Sequence, residues 1–303
     1  MGQVERARVN HVIHGVGQLS HIKIGMNLYL WTARLGPEHF PVLARLKAAG
    51  FDGVEIPTGN YSVAELATIR QALNDEGLAC TVATLLPPEC NPIARQPSVR
   101  RAALDKIKAD IAVANALGAE ALIGPMHSGH KYFVGRGPDQ QEFEDCVKFL
   151  SAVGARAAQA NLYLAVEPLN RFECYFLNTS EQAKALADAV DCDAVGILYD
   201  THHANIEESD VYDAITGLGS RLNHFHVSES HRGTPGTGTV DWHNSFRALH
   251  DVDYSGWLTI ESFGQDVEGI PNAVNIWRDC FSDKQAVYSQ GMTLVQDGMG
   301  KRP

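Results

Sequence analysis

Eight times along the chain, a short apolar run rich in β-formers gives way to a longer stretch of helical periodicity. The runs are 23–31 KIGMNLYLW, 53–57 GVEIP, 79–86 ACTVATLL, 121–127 ALIGPMH, 163–170 YLAVEPLN, 195–203 VGILYDTHH, 222–229 LNHFHVSE and 256–263 GWLTIESF. Between them lie segments such as PSVRRAALDKIKADIAVANALGA, where Ala103, Ile107, Ile111 and Ala114 make an apolar stripe against Arg and Lys. Several of these segments close on glycine (Gly50, Gly77, Gly118), as helix C-termini tend to. Strict alternation implies parallel strands joined by right-handed crossovers. Eight such units match an α/β fold of the (β/α)8 barrel type, which takes roughly 250 residues. A doubly wound open sheet would carry a Gly-rich phosphate loop after an early strand, and MNLYLWTARLGP is not one. With no linker to split the chain, residues 21–303 are expected to form a single barrel, preceded by an N-terminal tail over 1–20.

Composition narrows the partners. A chain of 303 residues with 45% hydrophobic and 20% charged side chains has material for a substantial core. Its formal net charge of -11 repels polyphosphates, which argues against nucleic acid as a partner and not against a small neutral substrate. The six cysteines are scattered without a CxxC pair, a usage that fits a reducing compartment. No apolar run approaches a membrane span, and the first twenty residues lack the apolar core of a secretory signal. The expected location is the cytoplasm.

In a barrel of this type the chemistry sits at the C-terminal ends of the strands. Those ends offer Glu55, His127, Glu167, Asp200 with His202 and His203, His224 with His226 and Glu229, and Glu261. A lone Glu ending a strand is commonly ion-paired, and a lone His is commonly a hydrogen-bonded core residue. Four consecutive strands ending in ligand-type side chains are harder to explain that way. Several buried carboxylates on one rim repel each other, and a central divalent cation resolves that cost. Glu167, Asp200, His226 and Glu261 would supply three carboxylates and one imidazole. This hard, mixed set suits Mn2+, Mg2+ or Co2+ better than a thiolate-rich zinc site.

The blocks VEPLNRFE, DTHHANIEE, HFHVSESHRGTPGTG and ESF, in that order, resemble the ketose 3-epimerases of D-tagatose, D-allulose and L-ribulose type. These belong to the xylose isomerase-like barrels. The resemblance runs from about Lys23 to the last helix. It implies that Glu167, Asp200, His226 and Glu261 bind the metal, and that Glu167 and Glu261 are also the acid/base pair. It further implies that Glu173, His203 and Arg232 hold substrate hydroxyls, and that the protein is a homodimer or homotetramer. Two departures bear on substrate choice: His202 stands where the family has an aromatic residue, and the loop MHSGHKYFVGRG is unusually rich in histidine. Trp31, Phe133 and Phe263, near strand ends, are candidates for an apolar wall beside the sugar, or for simple packing.

The chemistry explains the residue types. C3 of a ketose lies next to the C2 carbonyl, so loss of its proton gives an enediolate and needs no redox cofactor. Inversion requires proton delivery to the opposite side, hence two carboxylates flanking the sugar. Free ketoses are favoured over phosphorylated ones, since Arg232 alone is thin provision for a phosphate. A C1–C2 aldose–ketose isomerase would use the same groups and differs only in product. An apurinic endonuclease of the same superfamily would need further histidines; Asp241, His243 and His203 match in part, but the third strand ends without one. A non-catalytic sugar-binding barrel would not need Glu167 and Glu261 together.

Overall fold

The computed structural model describes residues 22–300, so the tail expected over 1–20 lies outside the described residues. The strands are β1 (Lys23–Asn27), β2 (Gly53–Pro57), β3 (Ala79–Ala83), β4 (Ala121–Gly124), β5 (Tyr163–Val166), β6 (Val195–Asp200), β7 (Leu222–Ser228) and β8 (Trp257–Glu261). They pair in sequence order as a closed, all-parallel barrel, with β8 returning to β1. The helices are α1 (Phe40–Ala48), α2 (Val63–Glu76), α3 (Pro97–Leu117), α4 (Gln140–Gln159), α5 (Ser180–Val190), α6 (Thr201–Glu207), α7 (Val211–Leu218), α8 (Trp242–Asp251), α9 (Ile270–Val274) and α10 (Lys284–Met299). The expected (β/α)8 barrel is therefore the fold.

Local sequence sets the helix ends. Ser62 with Glu65, Asp139 with Glu142, and Thr179 with Gln182 form reciprocal caps that start α2, α4 and α5. Gly77 and Gly118 end α2 and α3 in left-handed conformations, at φ of 63° and 73°.

Alternation along the strands separates two apolar environments. Met26, Val54, Ile56, Val82, Leu122, Leu164, Ile197, Phe225 and Ile260 belong to the large core shared with the helices. Ala83, Ala121, Ile123, Ala165 and Leu198 form a separate small cluster lining the barrel interior. At the N-terminal end, Trp257 crosses the interior. Its indole Nε1 donates to Glu120 Oε2, just before β4 on the opposite side, at 3.0 Å. Gly25 and Gly53 make room for this ring: a Cβ on Gly53 would lie 2.6 Å from the indole and 2.3 Å from Ala79 O.

Seven of the eight strands are shorter than the runs read from the sequence, β2 alone matching, and two of the stops have a local cause. The run 163–170 stops at Val166, ahead of Pro168. The run 195–203 stops at Asp200, because the Asp200 carboxylate caps α6 by accepting from the His202 and His203 N–H groups at 2.6 and 3.2 Å. His202 and His203 thus lie on the first turn of a helix, not on a strand.

Candidate active site

Strand register assembles the site. Asn27 pairs with Glu55 and Asp200 with His226, while Glu261 pairs with Ser228, two residues beyond His226, so these side chains gather at the C-terminal end of the strands. Glu167 is the first residue past β5. Ligand atoms of Glu167, Asp200 and His226 all lie within 4.8 Å of one another. His226 Nδ1 is 3.5 Å from Asp200 Oδ2 and 3.3 Å from Glu261 Oε1. The four side chains singled out in the sequence therefore share one centre, and all are buried.

Their electrostatics is costly. Burial pushes the Glu167 carboxyl well above its ordinary pKa, and Glu261 and Asp200 add to that against the pull of His226 and Arg232. Burial also raises Glu261, opposed by His226 and Arg232. For Asp200 burial is outweighed by Arg232, His203 and His226, which hold its carboxyl well below the usual range. Burial disfavours a charged His226, but Glu55, Glu261 and Asp200 together push its pKa well up. His226 Nδ1 is buried and makes no hydrogen bond, although two carboxylates face it. Three crowded carboxylates around an unpartnered ring nitrogen are the donor set a hard divalent cation satisfies, so the residues fit a metal ion.

A second tier holds this centre in place. Glu55, on β2, accepts from Asn27 Nδ2 at 2.8 Å and Thr81 Oγ1 at 3.0 Å. Its two oxygens lie 3.1 Å from His224 Nε2 and 3.0 Å from His226 Nε2. The His226 contact is off the hydrogen-bonding direction and acts as an ion pair. Burial works against the Glu55 charge, but His226 and His224 hold its pKa far below normal. This carboxylate–imidazole pair orients His226 with Nδ1 toward the centre. Asn27 Nδ2 also reaches Glu261 Oε1 at 3.3 Å, tying β1 and β2 to β8. His127 Nε2 donates to the Glu167 carbonyl at 2.9 Å, and its Nδ1 accepts from Ser128 Oγ at 3.0 Å. Burial lowers the His127 pKa to about 4, so it acts as a neutral brace for the Glu167 backbone.

Glu173, His203 and Arg232 lie beside the centre. Arg232 is buried on the loop after β7, in a left-handed conformation with φ of 61°. Its Nη1 donates to Glu261 Oε2 at 2.7 Å, Ser228 Oγ at 2.9 Å and Asp200 Oδ2 at 3.3 Å. Phe263 lies under the guanidinium, whose carbon is 5.0 Å from the ring centre. His203 Nδ1 accepts from the Asn170 backbone N–H at 3.1 Å and from its side-chain amide at 2.8 Å. Burial, then Arg232, lowers the His203 pKa to about 4, so the neutral ring carries its proton on Nε2. That Nε2 is 3.5 Å from Glu167 Oε1 and 3.0 Å from Arg232 Nη2. His203 Nε2 thus lies between the Glu167 carboxylate and the Arg232 guanidinium.

Other expected residues are placed elsewhere. The Trp31 ring packs against Tyr288 of α10, at 6.1 Å between centres, in the layer between barrel and helices. Phe133 is exposed. Glu229 turns into its own loop, accepting from the N–H groups of Ser230 and Gly236 at 2.8 Å and from Trp242 Nε1 at 3.3 Å. It thereby shapes the segment that carries Arg232. His202 Nδ1 donates to the carbonyls of Glu229 and Ser230, at 3.2 and 3.0 Å, and steadies the same loop. Asp241 caps α8 through the Asn244 N–H at 3.0 Å, and His243 is exposed, so the partial endonuclease pattern is not assembled. Asn27, Asn170 and His130 are the site residues that sequence reasoning missed.

The xylose isomerase-like TIM barrel family matches residues 43–280. The chain is 32% identical over 276 residues to a probable ketose 3-epimerase of Synechocystis, covering 91% of this chain and 96% of that one. It is 31% identical over 253 residues to a D-psicose 3-epimerase of Agrobacterium fabrum, covering 82% and 86%. The solved structure of an L-ribulose 3-epimerase superposes with a TM-score of 0.88 at 28% identity, over 92% of this chain and 95% of that chain. With a closed eight-stranded barrel, strand-end carboxylates on one centre and these relatives, the chain belongs to the ketose 3-epimerases of the xylose isomerase-like TIM barrel family, enzymes of the isomerase class.

Proposed function

We propose that this enzyme epimerises free ketoses at C3, of the D-tagatose, D-allulose/D-fructose or L-ribulose type. The observation that carries the reading is the set Glu167, Asp200, His226 and Glu261 around one buried centre. These four would hold a divalent ion, Mn2+ first, which when bound supplies Lewis-acid stabilisation of the negative charge that develops on O2 and O3. Glu167 and Glu261 come from β5 and β8, which two strands separate, so they can flank a sugar seated at the rim. One carboxylate removes the C3 proton and the other returns a proton to the opposite side. Burial that raises both pKa values brings each group toward the range where it serves as base and as acid. The His203 and Arg232 donors would hold an oxygen near the carbonyl, Glu173 would accept from a hydroxyl, and Phe263 would form the apolar wall. In this reading 21–303 is one catalytic unit, working in the cytoplasm as a homodimer or homotetramer.

The test incubates a panel of ketoses with the Mn2+-loaded enzyme in D2O. Deuterium at C3, with formation of the 3-epimer, is expected. Label confined to C1 or C2 would transfer the enzyme to aldose–ketose isomerisation. Undiminished turnover after exhaustive chelation would overturn the metal-dependent scheme.

A further inference from the structure

Glu173 occupies a turn after β5 that the loop after β4 grips from the side. The Lys131 N–H donates to the Glu173 carbonyl at 2.9 Å, and His130 Nε2 lies in hydrogen-bond contact with Glu173 Oε2 at 3.0 Å. Two consecutive residues thus hold both the backbone and the side chain of one glutamate. The gripping loop is itself anchored. The His130 N–H donates to Leu86 O at 2.8 Å, and Lys131 Nζ reaches Asn272 O at 3.0 Å and Asn275 Oδ1 at 2.9 Å.

From the other side, Asn170 Nδ2 donates to Glu173 Oε1 at 2.9 Å and to His203 Nδ1 at 2.8 Å. Each Glu173 oxygen therefore has one protein partner. A carboxylate offers about four lone-pair positions, so both oxygens keep capacity for a ligand hydroxyl. The side chains of His130 and Glu173 are 11% and 8% exposed, which leaves little water to fix the carboxylate if the imidazole were removed. The loop crossing itself does not need this contact, because the backbone bond from Lys131 and its Nζ contacts already close it. What the imidazole adds is the direction of the carboxylate.

We propose that His130 is a positioning residue for the reaction: it fixes the Glu173 carboxylate as an acceptor, in one frame with the Asn170-oriented His203 donor. The pair of His203 Nε2–H and Glu173 then reads a donor and an acceptor on the substrate at a set separation. This rests on the reading of Glu173 as a substrate contact given above. His130 touches Glu173 and not the sugar, so its loss weakens binding of substrate and transition state alike.

The experiment compares His130→Leu, His130→Gln, Glu173→Gln and the His130→Leu/Glu173→Gln double variant, all as full-length Mn2+-loaded enzyme. Steady-state kinetics use the ketose that shows C3 exchange in the wild type. His130→Leu raises KM about tenfold or more and leaves kcat within about threefold. His130→Gln, whose amide can still donate, returns KM to within about threefold of wild type. In the Glu173→Gln background, His130→Leu changes KM by less than about twofold, because the carboxylate it positions is gone. An unmoved KM in His130→Leu, failure of rescue by Gln, or additive effects in the double variant would overturn the proposal. Should His130→Leu lose its cooperative melt, His130→Asn, whose amide is too short to reach, takes its place in the same cycle. A wild type that exchanges no C3 proton sinks the epimerase reading itself. Normal wild-type exchange with an unmoved KM in the variant sinks only the role of His130.

Discussion

Replacing Arg232 with Met removes a buried positive charge while keeping much of the side-chain volume. Its guanidinium lies 2.7 Å from Glu261 Oε2 and 3.3 Å from Asp200 Oδ2, with Glu167 alongside, so its loss leaves these carboxylates facing only imidazoles, His226 and His203. Breaking a buried ion pair from one side costs about 3–5 kcal/mol. Protonation of a carboxylate recovers part of that, which places the metal-free variant about 3 kcal/mol below wild type. At about 2 °C per kcal/mol, its melting point falls by roughly 6 °C. The deficit depends on pH with a definite sign. Without Arg232 the folded-state pKa values of Asp200 and Glu261 rise, so the loss is small near pH 4 and grows as the pH climbs through those raised values. Saturating Mn2+ supplies the missing charge, so the gap between variant and wild type shrinks to under about 1 kcal/mol. Melts of stripped and metal-loaded protein at pH 5 and pH 8 measure all four corners. Equal metal-free melting points, or a gap that metal leaves unchanged, would refute the view that these carboxylates share one uncompensated centre.

Three further outcomes follow from the same geometry. Metal-free wild type should lose stability as pH rises from about 7 to 9, above the range in which the buried, neutral His127, His202 and His203 titrate in the unfolded chain. The raised folded pKa values of Glu167 and His226 each confer stability below their unfolded values that disappears on titration upward, and calorimetry should find this slope flattened by Mn2+. Glu167→Gln and Glu261→Gln should each abolish deuterium exchange at C3 while still folding, and retained exchange in both would end the two-carboxylate scheme. Glu229→Gln should weaken the loop that carries Arg232, lowering stability by about 1–3 kcal/mol and raising KM, as urea unfolding and kinetics would record.

The barrel and its ligand-type rim were legible because both follow from periodicity. Alternation along each strand sends every second side chain inward, so a charged residue at the end of an apolar run had to face the shared interior. What escaped depends on contacts between distant loops. Asn27 falls in the middle of the run KIGMNLYLW, with nothing in the sequence to mark it as a site residue, yet its amide joins Glu55 to Glu261 across a strand register that no single segment specifies. Glu229 has the same residue type and strand-end position as Glu261, but the glycine-rich segment after it offers backbone N–H groups that draw it away. His202 and His203 read as strand because Asp200 looks like one more strand residue until its capping geometry is seen.

The indole of Trp257, laid across the interior from β8 to Glu120, makes one end of the barrel a stopper. A sugar therefore has one doorway, between the loops that follow the strands, and product must leave before the next molecule enters. Opening and closing of those loops would then govern traffic in both directions, and bulk solvent would have to reach the carboxylates by the route the sugar itself obstructs.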